Sequence, residues 1–244
     1  MNIRIRKLSI GAFLALLPIQ YIIAEIIVAS AWKSPPYSWL HNYISDLGYP
    51  ICGVLNGVYI CSPLHWLMSA SFVIQGIIYI VATWLLHPLL PRNAYTRTRK
   101  AATVMMVISG LGMISIGFIH STFIPIPFTN LTLDGHLVGA LTAVIACPAA
   151  IILVGLTVYK NRLWHVYALS SIACGAFELL SMIIWISLMF SGATQTYAGV
   201  FERMAVYPGV FWMMATGMLL LHRYSIVTRI KAYITRRRQQ SLVK

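Results

Sequence analysis

Acid is scarce in this chain: of 244 residues only five are Asp or Glu, namely Glu25, Asp46, Asp134, Glu178 and Glu202. Charge of either sign is scarce as well, at 9% of residues, where a soluble domain carries roughly 25%. With 59% of the residues hydrophobic, the deficit argues against an ordinary soluble domain and for a polytopic membrane protein. There is no appended soluble domain, no internal repeat and no low-complexity tract. The H-E-x-x-H motif of zinc peptidases is also missing. The formal net charge of +13 does not imply nucleic acid, because the basic residues lie in short segments flanking apolar runs, as cytoplasmic loops do.

What the chain has instead is long apolar runs. A spanning helix needs ~20 apolar residues at 1.5 Å rise each. Six segments qualify: about Leu8 to Ala31, His65 to Leu90, Ala101 to Phe123, His136 to Tyr159, Val166 to Ser191 and Ala198 to Leu221. Of 18 Lys and Arg, 16 then fall on one side. They stand in the N-terminus, in the connection holding Arg92, Arg97, Arg99 and Lys100, in the turn with Lys160 and Arg162, and in the tail from Arg223. Only Lys33 and Arg203 remain for the other side. Positive charge marks the cytoplasmic side.

The expected fold is therefore all-α, a polytopic membrane helix bundle of six transmembrane helices with both termini cytoplasmic. Residues 1–7 form a basic N-terminus, 8–222 the membrane domain with a structured outer loop at 33–64, and 223–244 a basic tail. The expected location is the bacterial inner membrane. Ala29-Ser30-Ala31 looks like a cleavage site, but the apolar stretch before it exceeds the 7–15 residues of a leader, so the first span reads as retained. The arginine-rich tail reads as a contact for anionic head groups. Trp32, Trp39, Tyr43 and Trp66 cluster near the outer ends, and Trp84, Tyr95, Tyr159 and Trp164 near the inner ones, as interfacial anchors do.

The outer loop is the longest connection. Pro35-Pro36 stops the first helix, and Tyr37 to Gly48 reads as a short amphipathic helix or turn on the surface. Tyr49 to Leu64 is apolar but too short to span, which suggests a re-entrant or interfacial piece. Cys52 and Cys61 are candidates for a disulfide, whose geometry sequence cannot decide. Cys147 and Cys174 read as packing residues inside spans.

The run Ile44-Ser45-Asp46-Leu47-Gly48 is followed by Cys61-Ser62-Pro63-Leu64-His65-Trp66, then by His120, by His136-Leu137-Val138-Gly139-Ala140 and by Glu202-Arg203. Over about residues 8 to 222 this resembles the bacterial and archaeal membrane family called domain of unknown function 998. The resemblance leads one to expect Asn where Ser69 stands and a Phe-Pro pair where Ile119-His120 stands. It implies the fold and where a site would lie, and no reaction.

Polar residues at one depth supply the functional candidates. Asp46, His120 and His136, with Glu202 or Asp134, offer carboxylate and imidazole from separate segments. Such a set suits a metal ion such as zinc. It equally suits acid–base hydrolysis, with Ser45 as nucleophile or ligand. Asp134 before Gly135-His136 also reads as a helix N-cap. Haem between His65 and His87 is argued against by the ~33 Å that separates them along one helix, while His120 and His136 could ligate one near the outer face. Glu178 lies ~20 Å from the inner boundary, where an ionised carboxylate must be paired, protonated or hydrated. Glu178, Glu202 and Arg203 are the ligand-binding candidates, with Arg203 a counter-ion for Asp46, Glu25 or Glu178. Three readings stay open: a binder of a small amphiphile, lipid head group or ion at an outer pocket; a membrane-embedded hydrolase, metal-dependent or not; and an assembly partner. Membrane lipids are expected partners, and nucleic acid is not.

Overall fold

The computed structural model describes residues 3–55, 58–90, 96–120, 123–125, 132–191 and 197–242. Arg92, Tyr95 and Lys244, which entered the reading of sides and interfaces, lie outside these residues. The structure is mostly helical, with six helical segments long and apolar enough to cross a membrane: Arg6–Ala31, His65–Leu89, Thr96–Phe118, Gly135–Val158, Arg162–Leu188 and Gly199–Arg223. The first consists of α1 (Ile3–Leu14) and α2 (Ile19–Ala31). Pro18 stands at the junction; its ring fixes φ and it has no N–H to give the preceding turn. The other spans are α3 (His65–Leu86), α4 (Thr96–Phe118), α5 (Gly135–Val158), α6 (His165–Ser191) and α7 (Ala198–Leu242), which runs on into the basic tail.

Successive helices pack side by side from α3 to α7, and α7 returns to lie against α1, closing the bundle. Apolar side chains gain little by leaving lipid for one another, so close approach of backbones carries the packing. Gly76 and Gly110 touch across α3 and α4: a Cβ on Gly76 would stand 2.3 Å from the Gly110 carbonyl oxygen, and one on Gly110 2.7 Å from that of Gly76. Gly112 and Gly139 serve the contact of α4 with α5 in the same way.

An even number of spans returns the chain to the side it started from. One face therefore carries both termini (the terminal face). The other carries the 33–64 connection (the loop face). In that connection the expected helix or turn is a turn, and part of the expected re-entrant or interfacial piece is a two-stranded ribbon. Residues 33–44 make turns and extended backbone, and Ser45–Gly48 form a 3-10 turn with Asp46, Leu47 and Gly48 buried. Beyond it, β1 (Gly53–Leu55) and β2 (Val58–Ile60) pair antiparallel, Gly53 opposite Ile60 and Leu55 opposite Val58. Cys52 and Cys61, one step outside the ladder, are joined by a disulfide. The β-branched run Val58-Tyr59-Ile60 favours a strand, and a ribbon satisfies its backbone groups pairwise. A second ribbon on this face pairs β3 (Phe123–Pro125) with β4 (Thr132–Asp134).

Candidate functional site

Under the loop face lies a buried ion pair. Glu25 on α2 is fully buried and Arg203 on α7 is 9% exposed. Arg203 Nε and Nη2 donate to Glu25 Oε1 at 3.0 and 2.8 Å. Nη1 donates to the carbonyl oxygens of Trp39, Asn42 and Gly199 at 3.0, 3.3 and 2.8 Å, and Nη2 also to the Tyr37 hydroxyl at 2.6 Å. The Tyr207 hydroxyl donates to Glu25 Oε2 at 2.7 Å. The guanidinium also sits over the Trp39 ring, 4.8 Å from its centroid. All three nitrogens of Arg203 thus donate to protein acceptors, and two of those acceptors are loop carbonyls. Of the three counter-ions considered for Arg203, Glu25 is the one that pairs. Arg203 spends donors of all three nitrogens on the fold.

The neighbouring acids bind backbone. Glu202 accepts from the Ile44 amide. Asp46 accepts from the Tyr43 amide at 2.9 Å and from Asn42 Nδ2 at 3.4 Å. The Asn42 side chain in turn accepts from the Ser38 amide at 2.9 Å. Ser45, the nucleophile candidate, opens the 3-10 turn between them.

The histidines occupy another corner. His120 Nε2 is 3.0 Å from Ser69 Oγ, which also donates to the Gly48 carbonyl at 3.3 Å. Ser69 and His120, the two positions at which the resemblance expects other residues, are thus partners. His136 Nδ1 lies 2.9 Å from the Ile119 carbonyl oxygen. Burial, with His136 and His65 nearby, holds the His120 imidazolium pKa below its usual value, so the ring is a better acceptor than acid. The structure does not join Asp46, His120 and His136 into a ligand set: among the described residues, no three His, Cys, Asp or Glu converge to hold a metal ion. Asp134 accepts from the His136 amide at 2.9 Å and caps α5.

Glu178 is 1% exposed in the middle of α6. Oε1 accepts from the Gly209 amide on α7, and Oε2 has no hydrogen-bond partner. Near the terminal face a cavity of about 180 Å³ opens between the ends of α3 to α7. Its wall is apolar, with Thr103, Asn161 and Thr216 among the polar exceptions. Composition gave no signal for it.

The sequence model described as "Protein of unknown function (DUF998)" matches residues 14–219. This chain belongs to the DUF998 family. No curated protein and no solved structure matches it. Family membership supports a multi-pass membrane architecture and carries no reaction with it.

In this DUF998 chain, the electrostatics of the loop follow from burial. Burial raises the Asp46 carboxyl pKa to about 6, against the opposing hydrogen bonds from Tyr43 and Asn42. Burial likewise pushes the Tyr37 phenol above its usual range, with Arg203 acting the other way. The folded Asp46 carboxyl holds its proton more tightly than the ~3.9 of an unfolded aspartate. Its contribution to stability therefore falls as pH rises from about 4 to about 6, and is level above that. Asp46→Asn keeps an acceptor for the Tyr43 amide and removes the titration. Relative to that variant, wild type should lose up to about 3 kcal/mol over this interval. Parallel melting curves of the two proteins across it would refute the assignment.

The ion pair makes a second prediction. Removing one partner of a buried pair leaves a bare charge, at a cost of about 3–5 kcal/mol. Arg203→Met and Glu25→Gln should each lower the melting temperature and open residues 33–49 to protease. The double variant should recover much of the loss, because it leaves no unpaired charge. Additive losses in the double variant would show that the two side chains act independently.

Proposed function

We propose that this protein binds an anionic amphiphile, whose apolar part enters the cavity at the terminal face and whose head group lies against the arginines there. The observation that carries the reading is the cavity itself. At about 180 Å³ it is close to the ~150 Å³ of an engineered cavity that stays dry and takes up benzene. It has room for a ring or a short length of acyl chain. Tyr167 and Trp212 stack in its wall with centroids 6.1 Å apart. Their polar atoms are engaged, Tyr167 with Thr216 at 2.9 Å and Trp212 Nε1 with Ser171 Oγ at 2.8 Å. The wall therefore offers an occupant mostly carbon.

Arginines flank the lining. Arg99 lies one turn from Thr103 and donates to the Leu90 carbonyl at 3.4 Å, while its Nε is buried with no partner. Arg223 lies over the Trp164 ring at 4.4 Å and donates to the Leu163 carbonyl at 3.1 Å. Positive charge beside an apolar recess suits a phosphate or carboxylate carried on a chain. The terminal face is read as cytoplasmic from its Lys and Arg, in the inner membrane of a bacterial cell. The disulfide on the loop face agrees with that orientation, since such bonds persist in oxidising compartments. Membrane lipid is then the nearest source of the occupant. We prefer this site to the outer pocket because Glu25 and Arg203 bind each other, and Arg203 and Glu202 bind the loop.

Native mass spectrometry of delipidated protein titrated with phosphatidylglycerol and with phosphatidylcholine tests this. Val154, which lines the cavity, changed to Trp should cut uptake of both lipids at least tenfold, about 1.4 kcal/mol. The pair Arg99→Gln and Arg223→Gln should remove the preference for phosphatidylglycerol and leave residual binding. Unchanged uptake by the filled variant sinks the proposal.

A further inference from the structure

A stripe of buried polar side chains runs into the interior of the bundle, away from the cavity and from the ion pair. Ser71, Gln75 and Tyr79 are buried on α3, and their spacing of four residues places them on one helix face. They lie ~9, ~15 and ~21 Å along α3 from its start at the loop face. The upper part of the stripe is tied to α2. Ser71 Oγ donates to Gln20 Oε1 at 2.9 Å, and Gln20 Nε2 donates to Gln75 Oε1 at 3.2 Å. Gln75 Nε2 has no hydrogen-bond partner.

Glu178 is buried in the same bundle interior. The site is built by proline and glycine on the two adjoining helices. On α7, Pro208 has no N–H, and the next residue, Gly209, gives its amide to Glu178 Oε1. Gly209 leaves room for the carboxyl to approach the backbone: a Cβ there would stand 2.7 Å from Oε1 and 3.0 Å from Cys147 Sγ. The same point locates Cys147 on α5 beside the carboxyl, next to Pro148. The titratable groups that feel Glu178 are Cys147 on α5, Cys174 on α6 itself and Tyr79 on α3; α7 presents the Gly209 amide. The ion pairs found among the described residues do not include Glu178.

A carboxylate at this depth, with one amide donor and no cation, is costly to ionise. A carboxylic acid is not: it keeps an acceptor for Gly209 and carries its own proton. We propose that the Glu178 carboxyl is an intramembrane proton-binding site. A proton from water is held on the carboxyl, and deprotonation returns it to water. Cys147 and Gly209 shape the seat and exchange no proton in this scheme. The site gives the bundle a charge-changing element in its interior, separate from the amphiphile cavity.

Infrared spectroscopy of the full chain in lipid nanodiscs tests the proposal. At neutral pH, the wild-type spectrum minus that of Glu178→Gln should contain the carbonyl stretch of a protonated acid, shifting on transfer to heavy water. Glu178→Asp, which keeps the acid, should restore such a band if the Gln variant folds poorly. A carboxylate band at neutral pH, or melting of wild type but not of Glu178→Gln that depends on sodium or potassium, overturns the proton assignment.

Discussion

The bond between Glu25 and Arg203 spans 178 residues of sequence and joins the first transmembrane segment to the last. It adds a directed bond to the packing of α7 against α1 that closes the bundle, and its guanidinium also holds the loop. Lipid gives no hydrophobic reward for bringing two apolar helices together, so a directed contact at the seam between first and last spans decides much. The same guanidinium then reaches out to the carbonyls of Trp39 and Asn42. A buried pair is a weak source of net stability, since desolvation offsets most of the attraction. Its value here is specificity: other registers of α7 against α2 would leave two charges in an apolar interior.

The spans were legible in the sequence because the constraint behind them is local. A backbone in hydrocarbon must satisfy its own hydrogen bonds, so a spanning helix announces itself by length and apolarity. The cap at Asp134 was legible for the same reason, since its acceptor and donor are two residues apart. Glu25 was legible only in part: the sequence offers it as one of three counter-ions for Arg203, and since its partner lies 178 positions away nothing local chooses among them. The hairpin at 53–60 carried a signal that the reading passed over. Asn56-Gly57 between Val54-Leu55 and Val58-Tyr59 is a strong short-range hairpin pattern, masked by the apolarity that suggested a re-entrant piece. The cavity had no signal, because it is set by how five helix ends diverge.

The two faces differ in how their polar groups are used. On the loop face donors and acceptors meet one another: Arg203 with Glu25 and loop carbonyls, Asp46 with Tyr43 and Asn42, Ser69 with Gly48 and His120. On the terminal face the helices part around an apolar space, and the basic residues gather beyond them. Saturated contacts hold the loop in place, whereas the amphiphile proposed above would occupy the apolar recess beside Arg99 and Arg223. The shape of the molecule therefore moves attention from the face with the more varied chemistry to the one with the less.

Scarcity of acid takes on meaning from this arrangement. Asp46, Asp134, Glu178 and Glu202 each accept a backbone amide, from Tyr43, His136, Gly209 and Ile44. Glu25 takes the guanidinium instead. Five acids in 244 residues are thus five fasteners, which topology alone would not require, since acids contribute little to orientation. Four of them fasten a segment at or near the loop face. Glu178 fastens α6 to α7 in the interior, with one oxygen bound and the other without a partner. An amide side chain would fasten that amide as well and would avoid the penalty of an ionisable group in hydrocarbon. The carboxyl differs from it chiefly in being able to take up and release a proton.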